Sequence, residues 1–170
     1  MTEPSEPTTP REPGAPCTSL VELIARARAA DDPALLAGAI PYSRFMGLTM
    51  ERHAEELRGR LRYADMLIGN PALPALHGGT IGALLESTAI FQLLWEADTA
   101  VLPKTIGITV EYLRPGRPVD TWAVGVLTRQ GRRVANVRVE AWQEDRARPI
   151  AIGLAHFLLV PLDPGEGAAP

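Results

Sequence analysis

The segment HGGTIGALLESTAIFQLLW, residues 77–95, decides the fold, because it is the only long helical pattern in the second part of the chain. Its apolar residues do not keep to a single stripe. One side carries Ile81, Leu84, Thr88, Phe91 and Trp95, and another carries Gly82, Ala83, Ala89, Ile90 and Leu93. A helix that is apolar on most sides is covered by other structure on most sides. The pattern therefore predicts one long central helix that the rest of the chain encloses.

The segments on either side of this helix have the two-residue period of β-strands. Before it come GLTMER and LRGRLRY, and the second alternates apolar residues with arginine. After it come KTIGITVEY, VDTWAVGVLT, RRVANVRVEAW and PIAIGLAHFLLV, separated by the turn sequences Pro115-Gly116 and Gln130-Gly131 and by the polar run EDRAR. We therefore expect an α+β fold in which two strands and an antiparallel meander of four wrap the helix.

One domain between two tails is the organisation that the sequence favours. Residues 1–17 and 163–170 are poor in large apolar side chains and cannot bury enough surface to fold, so we expect both to be disordered. The chain has 170 residues, of which 46% are hydrophobic, and residues 18–162 therefore suit a single domain with its own core. Two short helices are expected at its start, over residues 20–30 and 33–39.

The composition argues against several classes of protein. A net charge of -3 disfavours nucleic-acid binding, because a phosphate-binding surface normally has a basic balance. The single cysteine, Cys17, excludes an internal disulfide framework and a thiolate metal cluster. The N-terminus has no apolar signal core, and no run approaches the roughly 20 apolar residues of a membrane span. We therefore expect a cytoplasmic protein that binds neither nucleic acid nor membrane.

The sequence His77-Gly78-Gly79 lies where the long helix begins, and the first amides of a helix have no acceptor within the helix. Glycines there let a ligand approach the backbone, and the positive end of the helix dipole favours a developing negative charge. Those are the requirements of an oxyanion hole. The alternative is a tight turn into a helix with nothing bound. We place all three residues in the predicted site.

Glu86 is the one carboxylate in the middle of this apolar helix. Three and four residues away it has Gly82, Ala83, Ala89 and Ile90, which offer no cation and leave room for a substrate. Burial of an unpaired neutral polar group costs roughly 2–7 kcal/mol, and burial of an unpaired carboxylate costs more. A partner or a function must therefore hold Glu86 in this position. We favour a function, and a salt bridge to an arginine from elsewhere in the fold is the alternative.

The spacing of Gly78 and Glu86 predicts an oligomer. Eight residues along a helix correspond to ~12 Å at about 1.5 Å per residue. Catalytic groups lie within about 3.5 Å of the reacting atoms, so one chain cannot bring both groups to one carbonyl. Two antiparallel copies of the helix can, with Glu86 of one subunit facing Gly78 of the other. We therefore expect an obligate homodimer with two shared active sites, alone or as a dimer of dimers.

These residues together resemble a known family. His77-Gly78-Gly79, with Glu86 nine residues after the histidine, and the stretch TIGITVEYLRPGRP closely resemble the hotdog-fold acyl-CoA thioesterases of the PaaI type, a 4HBT-like family. The segments IPYSRFMGL and IGNPALPALHGG are similar to a bacterial branch of it, and the resemblance covers residues 40–162. It implies the hotdog fold, in which an antiparallel sheet wraps a long central helix.

The resemblance also implies roles for single residues. In the family, the amide of the first glycine polarises the thioester carbonyl, which corresponds to Gly78, and the acidic residue is nucleophile or general base, which corresponds to Glu86. The family's hydroxyl at the start of the strand before Tyr-x-x-Pro corresponds to Thr105. Its polar residue six before the histidine is Pro71 here, so the adjacent Asn70 takes that place. Many members have Asp at the acidic position, which leaves the choice between nucleophile and base open.

The predicted reaction is hydrolysis of an acyl-CoA thioester to a free acid and CoA. It needs no cofactor beyond CoA as part of the substrate and no metal, and three scattered histidines do not form a zinc site. The phosphates of CoA need cations, and the candidates are four arginines at strand ends: Arg114, Arg117, Arg132 and Arg133. The sequence does not decide which acyl group the substrate carries. It also leaves open whether the thioester is to CoA or to a carrier protein.

Two other functions fit the same residues. A hotdog hydratase or dehydratase would act on enoyl or hydroxyacyl thioesters with His77 and Glu86 as an acid-base pair. A non-catalytic acyl-CoA binding module is the alternative from a different class, because a fold does not certify its chemistry.

Overall fold

A computed structural model describes residues 19–96 and 101–162. The predicted tails, residues 1–17 and 163–170, lie outside the described residues. The helices are α1 (Leu20–Ala29), α2 (Ala34–Ala39), α3 (Pro41–Met46) and α4 (Gly78–Glu96). The strands are β1 (Leu48–His53), β2 (Glu56–Leu61), β3 (Ile68–Asn70), β4 (Ala75–Leu76), β5 (Val101–Tyr112), β6 (Thr121–Gln130), β7 (Val134–Trp142) and β8 (Ala151–Pro161). Within the described ranges, no helix has the length and hydropathy of a membrane span.

The architecture is the expected α+β hotdog fold, with an antiparallel six-stranded sheet against the long helix α4. The helix predicted over residues 77–95 and the strand segments beside it are confirmed. Sequence reasoning missed α3, because its six residues form too few turns to show a helical period. Pro41 begins this helix and Gly47, at φ 69°, ends it, which are the usual positions of these two residue types.

The predicted meander of four strands is wrong. The order in the sheet is β1-β2-β6-β7-β8-β5, so β5 pairs with β8 at the edge and β6 pairs with β2. We read Pro115-Gly116 as a hairpin turn, but eight residues, 113–120, separate β5 from β6. This link passes under the start of α4, where the Gly116 carbonyl accepts a hydrogen bond from the Leu76 amide at 2.8 Å. The crossing carries the chain from β5 at the edge of the sheet to β6, which lies between β2 and β7.

Helix α4 is buried on one side and partly open on the other. The side against the sheet includes Ile81, Leu84, Leu85, Thr88, Phe91 and Gln92, all buried. The other side has a stripe of half-buried or exposed residues, here called the open stripe: Gly79, Gly82, Ala83, Glu86 and Ile90. The prediction that the helix is covered on most sides therefore holds for the sheet side alone within a single chain.

Charged side chains form ion pairs on the face of the sheet that points away from α4. Arg60 pairs with Asp120 at 2.7 Å and with Glu51 at 3.3 Å. Its guanidinium also lies 5.1 Å from the ring centroid of Trp122. The hydrogen bond from the Tyr63 amide, and after it the one from Arg60, holds the pKa of the Asp120 carboxyl below its usual value. This face is a solvated ion-pair surface, and the core lies between the sheet and α4.

Gly59 on β2 sets how closely α4 approaches the sheet. A Cβ added there would lie 2.2 Å from Thr88 Oγ1 on the fully buried side of α4. We expect Gly59→Ala to lower the free energy of unfolding by about 1–3 kcal/mol, the usual cost of overpacking a core, in urea titration. Thr88→Ala removes the contacting atom and should recover part of this loss in the double variant.

The matched control for Gly59 is Gly38 in α2, where an added Cβ would meet no atom within 4 Å. Gly38→Ala should leave stability unchanged or raise it by about 0.5–1 kcal/mol through helix propensity. Equal effects of the two alanine variants would contradict the close approach of Gly59 and Thr88.

Candidate active site

The segment before α4 holds His77 in place. Between β2 and α4 the structure has a short 3-10 turn at Asp65–Leu67 followed by a ribbon of β3 and β4. The His77 amide donates to the Leu67 carbonyl at 2.8 Å. A Cβ added to Gly69 would lie 2.6 Å from His77 Cα, so the ribbon lies directly against the histidine. The backbone of His77 is therefore fixed before the helix begins.

The side chain of His77 caps α4. Its Nδ1 atom accepts a hydrogen bond from the Gly79 amide at 2.9 Å. Because an amide can only donate, Nδ1 carries no proton here, and the neutral ring has its proton on Nε2. The amide of Gly79 is thus used within the protein. His77 acts on the helix terminus, and in this arrangement its Nδ1 is not free to act as a base.

The amide of Gly78 is the one left without a partner in the first turn. The amides of Thr80 and Ile81 both donate to the His77 carbonyl, at 2.9 and 3.3 Å, and Gly79 donates to the His77 ring. Within residues 19–96 and 101–162, no group accepts from the Gly78 amide. An unpaired amide at the positive end of a 19-residue helix can donate to a developing oxyanion.

Gly78 opens on a cavity of about 300 Å³ at the start of α4. Its walls come from β4, α4, the end of β5 and the link after it, and they include Leu76, Ile81, Tyr112, Leu113 and Gly116. The cavity shares Arg114 and Pro115 with a neighbouring groove of about 480 Å³. The cavity beside Gly78 therefore adjoins a larger groove on the same chain, whose lining residues are mostly charged.

Three arginines line this groove. Arg114 and Arg117 were predicted, and Arg148 was not. Arg114 donates to the Pro149 carbonyl at 2.6 Å, and Arg117 forms an ion pair with Glu144. Among the residues that the structure describes, no carboxylate pairs with Arg148. Sequence reasoning missed Arg148, because we read the run EDRAR, in which it is the last residue, only as a turn.

Arg132 and Arg133 lie elsewhere in the chain. They occupy the turn between β6 and β7, whereas Arg117 lies beside the opposite end of β6, next to Thr121. The ten residues of β6 span about 33 Å at ~3.3 Å per residue. The structure of one chain therefore does not bring the four predicted arginines together.

Glu86 lies half-buried in the open stripe of α4. No hydrogen bond or ion pair joins its carboxylate to another residue in the described part of the chain, and its helix neighbours three and four residues away are glycine, alanine and isoleucine. The salt bridge weighed as an alternative does not form among residues 19–96 and 101–162. Eight helical residues, or ~12 Å, separate it from the Gly78 amide.

Asn70 has a local role in the turn of the ribbon. Its side-chain oxygen accepts from the amides of Ala72 at 3.0 Å and Leu73 at 3.3 Å. That pattern stabilises the turn, and it leaves only the side-chain NH2 group for a ligand.

Thr105 lies far from Gly78 within one chain. It pairs with the buried Phe157 beside a bulge at Ile106. Seven residues along β5, about 24 Å at ~3.4 Å per residue, separate it from Tyr112 at the Gly78 end. One chain therefore does not place this hydroxyl beside the Gly78 amide.

Tyr112 is the site residue that sequence reasoning missed. Its hydroxyl donates to the Gly78 carbonyl at 2.8 Å across 34 residues of sequence. We used this tyrosine only as a marker of the strand end. A contact between the end of β5 and the start of α4 depends on the strand order, which the sequence pattern did not provide.

Comparisons with known proteins identify the family and support the fold. A family model described as the thioesterase superfamily matches residues 73–150, which include Glu86 and the three residues from His77. The medium/long-chain acyl-CoA thioesterase YigI of Salmonella typhimurium is 34% identical over 122 residues, covering 63% of this chain and 78% of that protein. YigI of Escherichia coli K12 is 32% identical over the same shares. A solved structure from Chromobacterium violaceum is 41% identical, with a TM-score of 0.66 over 82% of this chain and 98% of that one.

Proposed function

Because the chain belongs to the thioesterase superfamily, we propose that it hydrolyses acyl-CoA thioesters to a free acid and CoA. The observation that carries the proposal is the Gly78 amide, which opens on a cavity and has no acceptor among the described residues. The unpartnered carboxylate of Glu86 on the same helix supports it. Relatives in two bacteria are named medium/long-chain acyl-CoA thioesterases, so thioesters of that length are the first candidates.

In the proposed reaction the thioester oxygen accepts a hydrogen bond from the Gly78 amide, which stabilises the oxyanion of the tetrahedral intermediate. Glu86 removes a proton from water as the water oxygen bonds to the carbonyl carbon. The C–S bond then breaks, and the CoA sulfur takes up the proton. Alternatively, Glu86 attacks the carbonyl itself, and water cleaves the resulting anhydride. Both routes consume one water for each thioester.

Each active site is proposed to form between two subunits. In one chain Gly78 and Glu86 lie ~12 Å apart along the helix axis, and the glutamate side chain recovers only part of that span, so the two groups do not reach one reacting carbonyl. Two features support a twofold partner. The small side chains in the open stripe permit a second helix to approach, and β5 is a 12-residue edge strand with Ile106 60% exposed.

The groove beside Gly78 is proposed to hold the phosphates of CoA. Arg114, Arg117 and Arg148 line it, and it joins the cavity of the Gly78 amide. Arg132 and Arg133 lie at the opposite end of the sheet, so their part in CoA binding requires a second subunit. The contact of Thr105 with the substrate has the same requirement.

A panel of acyl-CoA thioesters tests the proposal, with a thiol reagent to follow free CoA and absorbance to follow the enoyl group. We expect CoA release from at least one medium- or long-chain substrate. A change of enoyl absorbance without thiol would identify a hydratase, and binding without turnover would identify a binding module. Either result would contradict hydrolysis as the function.

A further inference from the structure

Tyr112 ends β5 and lies over the start of α4. Its strand partner is the small, buried Ala151. Tyr112 itself is 53% exposed and lines the cavity beside Gly78. An exposed aromatic ring normally gains little from a fixed position. The hydroxyl of this residue nevertheless makes a directed hydrogen bond to the backbone of Gly78.

The peptide unit between Gly78 and Gly79 is held at both ends by side chains. The Tyr112 hydroxyl donates to its carbonyl at 2.8 Å, and His77 Nδ1 accepts from its amide at 2.9 Å. The peptide unit just before it, between His77 and Gly78, carries the amide that has no acceptor among the described residues. The held peptide therefore adjoins the catalytic amide and fixes the orientation of the residue that carries it.

The tyrosine side chain also lies close to the glycines at the start of α4. A Cβ at Gly78 would lie 3.3–3.4 Å from three atoms of the Tyr112 side chain, and a Cβ at Gly82 would lie 3.5 Å from its hydroxyl. Glycine adopts many backbone conformations at little cost, so an amide on glycine points in one direction only if its surroundings impose it. The ring supplies that contact on one side of the helix start.

We infer that Tyr112 is a positioning residue, which aims the Gly78 amide at the thioester oxygen through its hydrogen bond to the Gly78 carbonyl. The inference rests on the proposed function of that amide. The hydroxyl touches the backbone and not the reacting atoms. Its effect belongs to the transition state, because a donor that is free to rotate stabilises an oxyanion less than a fixed one.

The variant Tyr112→Phe keeps the ring and removes the hydrogen bond. We expect kcat for acyl-CoA hydrolysis to fall about three- to tenfold, the rate equivalent of one neutral hydrogen bond, with KM nearly unchanged. KM should persist because the ring and the arginine groove remain intact. Steady-state kinetics on the best substrate of the panel measures both constants.

A CoA thioether, which lacks the thioester carbonyl, separates positioning from a general structural defect. Its affinity, measured by calorimetry, should be the same for wild-type protein and Tyr112→Phe. The matched control is Tyr63→Phe, which removes a similar phenol hydrogen bond to Asp65 and should leave kcat unchanged. Retention of full kcat in Tyr112→Phe would overturn the inference, and so would a parallel loss of thioether affinity. If the wild-type protein releases no CoA from any thioester, the proposed function fails, and this inference fails with it.

Discussion

Glu86→Gln will lower kcat for acyl-CoA hydrolysis by at least about 100-fold, the lower range for removal of a general base. Glutamine keeps the size of the side chain but cannot accept a proton from water or attack the carbonyl. The fold should persist, because Glu86 makes no hydrogen bond or ion pair with the described residues and lies in the open stripe. Thiol release and the melting temperature measure the two expectations.

The matched control for Glu86 is Glu96, at the exposed end of the same helix. Its carboxylate accepts a hydrogen bond from Gln92 at 2.7 Å, which glutamine can also accept. Glu96→Gln should retain wild-type kcat. Glu86→Gln with kcat within about threefold of the wild-type value would remove Glu86 from the reaction, since general base catalysis is worth far more.

The second large effect is expected at Gly78, where two substitutions both add a Cβ but only one of them keeps the amide proton. Proline suits the first position of a helix and has no N–H, so Gly78→Pro removes the proposed oxyanion donor while α4 can still begin there. Gly78→Ala keeps the amide. Both variants place a Cβ about 3.3 Å from the Tyr112 ring, so the effect of crowding by this carbon is present in both.

We expect Gly78→Pro to lower kcat by about 100- to 1,000-fold, the usual cost of one oxyanion donor. Gly78→Ala should lose less than about tenfold, because only the ring contact changes while the donor remains. Circular dichroism and melting temperature check that both variants fold. Similar losses in the two variants would show that crowding at Tyr112, rather than the amide, accounts for the effect.

Mixing the two inactive variants tests whether subunits share the site. In a mixed dimer of Glu86→Gln and Gly78→Pro, one of the two shared sites has an intact glutamate facing an intact amide. Random exchange of subunits should therefore restore about a quarter of the wild-type activity. If each chain held a complete site, mixing would restore nothing.

The sequence by itself determined the long helix and the main strands, and it pointed to the two residues that we propose for the centre of the site. The apolar helix with one carboxylate and the alternating strands are local periodic patterns, and both are visible without knowledge of the fold. The spacing of Gly78 and Glu86 along one helix is also local, because the rise per residue of a helix is constant. That spacing alone gave the expectation of a second subunit.

Only the tertiary structure decided where β5 lies and what its end contacts. The link over residues 113–120 crosses beneath α4, which places β5 at the sheet edge and Tyr112 against Gly78. The same crossing brings Arg114 and Arg117 into one groove with Arg148. Such contacts join residues that are more than 30 positions apart, and periodicity describes only neighbours within a few turns or pleats. The surroundings of the Gly78 amide, the proposed oxyanion donor, could therefore be described only once the strand order was known.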